Sequence, residues 1–143
     1  MDNREIQKII TGKDLDILIA ERVFKWVYDT RNFYWHTPDG GGRLLPSFSR
    51  QISAAWEIVE YFIKKMGYDN GLLLFAGPIF KPAHQYMTQE GFPLGITCWY
   101  VEAETPNGHR KYICGETAPL AVCYAALWLT EAMAEENERE SSL

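Results

Sequence analysis

The segment from Ile96 to Cys114 constrains the fold more than any other part of the sequence. Two strand-like runs, 96–104 and 110–114, flank the five residues Thr-Pro-Asn-Gly-His. Asn-Gly is among the strongest short-range signals for a β-hairpin, because both residues accept the positive φ that a tight turn requires. The pattern therefore predicts two neighbouring antiparallel strands.

A helix is predicted to follow this hairpin directly. Thr117 is a suitable N-cap residue, and Pro119 falls in the first turn, where its missing backbone N–H is not needed. Apolar and small residues then recur along one face, at Leu120, Cys123, Ala126, Leu127, Thr130 and Ala134. The acidic segment from Glu135 to Leu143 is expected to fray, as chain ends commonly do.

Two further helices are predicted in the first half of the chain. One runs from Asp14, a plausible N-cap, to about Val27, and the other begins at Ser49 and stops at Gly67. Their apolar residues follow helical spacing. The stripes are Leu15, Leu18, Ile19, Val23 and Trp26 in the first helix, and Ile52, Ala55, Trp56, Val59, Ile63 and Met66 in the second.

The remaining apolar stretches complete the prediction of the fold. Residues 32–36 and 72–76 are predicted to be strands. The glycine-rich segment 38–42 must end the first of these strands, and the proline-containing segment 77–95 is predicted to be an extended loop. This order favours an α/β (α+β) protein, a three-layer α/β/α sandwich with a mostly antiparallel or mixed sheet covered by helices. With 143 residues, a single domain is expected, ordered over about 12–135, with a polar, frayed N-terminus.

Charge and cysteine content argue against several classes of partner. The net charge of −5 disfavours sequence-independent binding to DNA, because neutralising phosphates needs a basic face. Three cysteines without CxxC spacing argue against a disulfide framework and a zinc knuckle. The polar N-terminus is unlike a signal peptide, and no run has the length of a membrane span. We therefore expect a cytoplasmic protein that contacts neither DNA nor membrane.

Three segments of the chain carry a resemblance to a known family. They are Leu15-Asp16 with Ala20-Glu21-Arg22-Val23 and Trp26; Pro46-Ser47-Phe48-Ser49 with Ala54-Ala55-Trp56-Glu57-Ile58-Val59-Glu60; and Glu116-Thr117-Ala118-Pro119-Leu120-Ala121-Val122-Cys123 with Ala125-Ala126-Leu127. Over roughly Leu15 to Leu129 the chain resembles the phage ABA sandwich domain family. The resemblance implies phage origin, an α/β/α sandwich and no known reaction.

Patterns typical of catalysis or metal binding are not found in the sequence. The histidines have no carboxylate or cysteine at ligand spacing, and no Gly-x-Ser-x-Gly elbow surrounds Ser47 or Ser49. Glu57 and Glu60 could form an acid/base pair, although such residues on an exposed helical face are more often solvated. We expect no catalytic residue, no metal and no cofactor. The histidines are His36, His84 and His109.

One group of residues is predicted to bind an anionic ligand. Backbone N–H groups at the start of the second helix favour an anion, and aromatic rings just upstream could stack on a nucleobase. The candidate residues are Arg43, Ser47, Ser49, Arg50, Tyr34 and Trp35. In the alternative interpretation Ser49 only caps the helix, the arginines are solvated and the rings fill the core. A second cluster is interpreted as ordinary surface: Lys81, His84, His109, Arg110 and Lys111.

These observations leave two main classes of function. The first is a small, non-enzymatic, phage-type binding protein, a counter-defence factor that sequesters a nucleotide-derived immune signal. The alternative is a protein-binding module that inhibits a host defence protein through an aromatic surface. An uncharacterised enzyme comes third. A homo-oligomer is expected, because the chain has more aromatic residues than one small core requires.

Overall fold

The computed structural model describes residues 11–66, 71–79 and 96–141, with side chains described for 11–66 and 99–141. The predicted frayed segment before residue 11 lies outside these residues. The elements in chain order are α1 (Gly12–Leu18), a π-helical turn (Ile19–Val23), β1 (Val27–Asp29), β2 (Tyr34–His36), β3 (Gly42–Arg43), α2 (Ile52–Met66), β4 (Gly71–Ile79), β5 (Ile96–Glu104), β6 (Arg110–Gly115) and α3 (Ala118–Ser141).

The first helix differs from its prediction at both ends. Thr11, without a side-chain hydrogen bond, occupies the N-cap position, so the prediction of Asp14 as N-cap is wrong; Asp14 lies in the first turn. At its C-terminal end the helix widens into the π-helical turn, where Phe24 N–H donates to the carbonyl of Ile19. The helix therefore ends before Val27, which begins β1, a strand that was not predicted. Of the predicted stripe, Leu18 is only partly buried, and the other members are buried: Leu15, Ile19, Val23 and Trp26.

Strands β1, β2 and β3 form a small antiparallel sheet in that spatial order. β2 starts at Tyr34 rather than at residue 32, because Asp29 organises a turn before it. The Asp29 carboxylate accepts hydrogen bonds from the backbone N–H of Arg31 at 2.9 Å and of Asn32 at 3.0 Å. Phe33, the last residue of this turn, has φ 59°. The predicted interruption after β2 is confirmed by the turn at 38–40.

The second helix begins at Ile52, three residues later than predicted. Before it, the carbonyl of Ser47 accepts a hydrogen bond from Arg50 N–H at 3.1 Å, which closes a separate turn. The prediction that Ser49 caps this helix is therefore wrong. The predicted apolar stripe is also wrong at Ile52 and Trp56, which are 49% and 47% exposed. The buried face consists of Ala54, Ala55, Ile58, Val59 and Phe62.

The second sheet has the order β4-β5-β6, with antiparallel pairing throughout. The predicted hairpin is confirmed: Thr105 N–H donates to the carbonyl of His109 at 2.8 Å, and Gly108 has φ 89°. β4 is longer than predicted and takes in residues 77–79 of the predicted loop. The rest of that loop, 80–95, lies outside the described residues.

The third helix is capped as predicted and continues beyond its predicted end. Leu120 N–H donates to Thr117 Oγ1 at 3.3 Å. The acidic segment up to Ser141 is helical instead of frayed, and within it the Glu136 carboxylate is buried and lies 2.7 Å from His109 Nδ1 in the hairpin. Gly115 lies so close to this helix that a Cβ there would be 2.5 Å from the backbone nitrogen of Ala121.

Helix α3 connects the parts of the structure. It packs against β4, β5, β6, α2 and the π-helical turn. Val101 and Ile113, which pair across β5 and β6, are fully buried. The described residues thus form three helices and two antiparallel sheets, which confirms the predicted α+β class. None of the described helices combines the length and apolarity needed to cross a membrane.

Candidate ligand-binding cleft

The predicted anion site before α2 contains an anion that belongs to the protein itself. The carboxylate of Asp16, on α1, is fully buried. Its Oδ1 accepts a hydrogen bond from Ser49 N–H at 2.7 Å, and its Oδ2 accepts one from the Arg50 guanidinium at 3.3 Å. Ser49 Oγ donates to the carbonyl of Gly12 at 3.1 Å. These contacts tie the turn at residues 47–50 to the start of α1.

The other polar residues predicted for the anion site also have partners. Arg50 donates a second hydrogen bond, of 3.3 Å, to Ser47 Oγ. Arg43 donates to Glu57 Oε1 at 3.1 Å, and its guanidinium lies over the Trp26 ring, 5.1 Å from the centroid. An external anion would therefore have to compete with a carboxylate at either arginine.

Tyr34 and Trp35 project from opposite faces of β2, because successive side chains alternate along a strand. The Tyr34 ring is half-buried, 4.7 Å from the His36 ring between centroids, and a Cβ at Gly42 would lie 2.6 Å from it. The Trp35 ring is buried and lies 5.2 Å from the Tyr28 ring. These two predicted stacking residues therefore cannot hold the same face of one ligand.

A cleft of about 390 Å³ opens on the Trp35 side of this sheet. This volume falls within the range of small-molecule sites, roughly 300 to 1,000 Å³. Its lining combines three aromatic rings, two aliphatic side chains and two opposite charges: Tyr28, Phe33, Trp35, Ile17, Leu45, Lys13 and Glu21. Of the residues predicted to bind a ligand, only Trp35 lines this cleft.

One wall of the cleft comes from α1 and the π-helical turn. Lys13, Ile17 and Glu21 are spaced four residues apart, so they lie along one stripe of the helix surface. The spacing is visible in the sequence. These three residues lie beside the more apolar buried stripe, however, so they were not identified from the sequence as the wall of a cleft. Within the described part of the chain, Lys13 and Glu21 form neither an ion pair nor a side-chain hydrogen bond.

Phe33 stands at the rim of the cleft in an unusual conformation. Its φ of 59° lies in the left-handed region, which bulky residues rarely adopt, and its side chain is 71% exposed. The turn that carries it is held by Asp29, which also lies 2.9 Å from His36 Nε2. The hydrogen bond with His36 makes the largest contribution to lowering the pKa of Asp29 well below its usual range, and the hydrogen bonds from Asn32 lower it further.

Several other ionisable groups among the described residues are paired or buried within the fold. Arg110 lies 2.8 Å from Glu102 and 3.3 Å from Glu104, and these carboxylates raise its pKa. Burial raises the pKa of the Cys123 thiol. No group of three or more His, Cys, Asp or Glu that could hold a metal ion occurs among these residues. Lys81 and His84, from the second predicted cluster, lie outside the described part of the chain.

Two of three comparisons with known proteins find a similarity to phage proteins. A search of curated proteins gives no match. The chain is similar to a phage protein from Bacillus cereus ATCC 14579, known from a crystal structure at 2.0 Å, with 20% identity, a TM-score of 0.52, and coverage of 92% of this chain and 89% of that chain. The family model for the phage ABA sandwich domain matches residues 17–127. This protein therefore belongs to the phage ABA sandwich domain family.

Proposed function

We propose that this protein binds a small nucleotide-type ligand, with a flat aromatic ring and an anionic group, in the cleft beside Trp35. The proposal rests on one observation: the same cleft is lined by three aromatic side chains and by an ammonium group that has no partner among the described residues. Aromatic side chains stack on nucleobases with about 1 to 3 kcal/mol per base. A lysine ammonium is a common point-charge partner for phosphate.

We assign the anionic group of the ligand to Lys13 in preference to the arginines. Arg43 and Arg50 already contact Glu57 and Asp16, so a phosphate at either would have to displace a carboxylate. Lys13 has no such partner to displace within the described residues. The sequence-predicted site around Arg43, Ser47, Ser49 and Arg50 is the alternative location for the same ligand, and substitutions distinguish the two.

The biological role that we propose is sequestration. The chain belongs to a family of phage domains, and the cleft offers binding groups without an evident nucleophile or acid/base pair among its lining residues. A phage protein that holds a nucleotide-derived signal without converting it would act as a counter-defence factor in the infected host. In that role affinity and abundance, rather than turnover, determine the effect.

Calorimetry with nucleotides at two salt concentrations tests the proposed site. Lys13→Ala should weaken binding by about 1.5 to 3 kcal/mol, the scale of a charge-assisted hydrogen bond, and should reduce the salt dependence. Lys64→Ala, which removes the same charge from the exposed part of α2, is the matched control and should bind like the parent. Tyr28→Ala should weaken binding while leaving the salt dependence unchanged.

The arginine variants decide between the two locations. If Arg43→Ala or Arg50→Ala weakens binding and Lys13→Ala does not, the ligand lies at the sequence-predicted site. The absence of heat with every nucleotide tested would reject ligand binding of this class. In that case the protein-binding module becomes the better proposal.

A specific observation supports this second candidate function. Large apolar side chains are exposed around the first sheet and the start of α2, namely Val27, Leu44, Ile52 and Trp56. Such exposure is typical of surfaces that contact another protein, either a host factor or a second copy of this chain. Light scattering at high micromolar concentration tests self-association: a dimer mass that Trp56→Ala reduces to the monomer mass would place the interface there.

A further inference from the structure

We infer that the ligand carries two adjacent N–H donors on the edge of its ring, as guanine does, and that Glu21 selects for this edge. The inference rests on the proposed function, because it concerns the same cleft. Binding of a nucleotide by Lys13 and the aromatic rings does not explain why Glu21 also lines the cleft. A carboxylate without a partner among the described residues lies in a cleft that we assign to an anionic ligand.

The order of the side chains on the helical wall gives the ligand a direction. Lys13, Ile17 and Glu21 present a cation, an apolar group and an anion along one stripe. Eight residues separate the two charged positions, which is at most roughly 12 Å along the helix axis at the α-helical rise of about 1.5 Å, because the wider π-helical turn that carries Glu21 rises less per residue. An anionic group therefore binds at the Lys13 end and is repelled from the Glu21 end. The ring then lies between them, against Ile17 and the aromatic side chains.

The chemistry of a carboxylate determines which ring edge is favoured beside Glu21. An ionised carboxylate only accepts hydrogen bonds, and its two oxygens can accept from two parallel donors. The Watson–Crick edge of guanine presents N1–H and the N2 amino group side by side. Adenine presents an acceptor nitrogen next to its amino group, so a lone pair would face a carboxylate oxygen. The cleft should therefore favour guanine over adenine.

Glu21 can select for guanine without first giving up a hydrogen bond to the part of the chain that the structure describes. Glu57, by comparison, is engaged by Arg43 at 3.1 Å and would lose that contact on meeting a ligand. Glu21 has no contact of this kind to lose within the described residues. A site that hydrogen-bonds a particular group rejects analogues without it, because the protein group is then left unpaired.

Titration calorimetry of the full chain with GMP, IMP and AMP tests the inference. These nucleotides share a phosphate and a purine ring, and differ in the donors at the ring edge. We expect GMP to bind about 10- to 100-fold more tightly than AMP, which is the scale of one bidentate base contact, with IMP between them. In Glu21→Gln most of this preference should disappear, because an amide presents a donor as well as an acceptor.

The controls separate this inference from the proposed function. Glu60→Gln makes the same change on the exposed face of α2, outside the cleft, and should keep the preference for GMP. Equal affinities for GMP and AMP in the parent protein, or a preference that Glu21→Gln leaves unchanged, would overturn the role of Glu21 while nucleotide binding stands. If none of the three nucleotides binds, the proposed function and the inference both fail.

Discussion

The small sheet β1–β3 and the layer formed by β5, β6 and α3 expose the same kinds of side chain to different extents. Leu44, next to β3, is 77% exposed, whereas Leu129 in α3 is 0% exposed. Valine shows the same contrast, since Val27 is exposed and Val101 is buried. Burial in the second region supplies the apolar contacts that stabilise folding. The first region keeps apolar groups in contact with solvent, where they are available to a ligand or partner.

The largest expected difference comes from making one substitution in both regions. Leu129→Ala should lower the free energy of unfolding by about 2 to 5 kcal/mol, because it removes buried methyl groups and leaves a cavity. Leu44→Ala should change it by less than about 0.5 kcal/mol, as is usual for an exposed site. Urea denaturation of both variants measures the contrast, and similar losses in the two would show that the first region is covered in solution.

An intermediate effect is expected for the buried carboxylate of Asp16, which ties α1 to the turn at residues 47–50. Asp16→Ala should lower the free energy of unfolding by about 1.5 to 3 kcal/mol, because Ser49 N–H and Arg50 lose a charged acceptor. Asp16→Asn keeps one acceptor oxygen, so its loss in the same denaturation experiment should be smaller. If Asp16→Asn is as destabilising as Asp16→Ala, the charge of Asp16 matters more than the hydrogen bond.

A smaller effect on stability than that at Asp16 is expected at Phe33, and it has the opposite sign. Phe33→Gly should raise the free energy of unfolding by about 1 kcal/mol, since glycine accepts φ 59° without a steric penalty and little buried surface is lost. The same variant should bind the ligand more weakly, because a ring at the rim of the cleft is removed. Thermal unfolding together with calorimetry measures both changes.

Lys25 provides the matched control for this prediction. It also has a positive φ, 61°, but it does not line the cleft. Lys25→Gly should therefore be stabilised to a similar extent and keep the affinity of the parent. Destabilisation of Phe33→Gly, or unchanged ligand binding in that variant, would show that the Phe33 ring serves the fold and not the cleft.

The elements predicted correctly are those whose signals are local. The turn at 105–109 and the Thr117 cap depend on residues within a few positions of one another, and both are confirmed. The start of α2 depends on Asp16, which is 33 residues away from Ser49 in the sequence. The backbone N–H of Ser49 bonds this distant carboxylate, and its side chain bonds Gly12, so it does not cap α2. A local reading of the sequence cannot detect that competition.

The phase of α2 was misjudged for a different reason. Ala54 carries too little apolar surface to mark a face in the sequence pattern, whereas the large rings of Trp56 dominate it. In the structure the small residue faces the core, because α3 packs against α2, and Trp56 is turned to solvent. The cleft was not predicted for a similar reason. Its helical wall alternates charged and apolar residues, each of which is typical of an ordinary surface, and only Trp35 of its lining was among the predicted ligand-binding residues.

The contact between Asp16 and Ser49 has a consequence for the order of folding. It joins residues 33 positions apart and encloses β1, β2 and β3 in one loop of the chain. Closing this loop costs less chain entropy than bringing α3 to the π-helical turn, which is much farther away in the sequence, so we expect this segment to close first. Because the Ser49 N–H donates to Asp16, we expect its hydrogen exchange to report the opening of the whole loop as one cooperative unit.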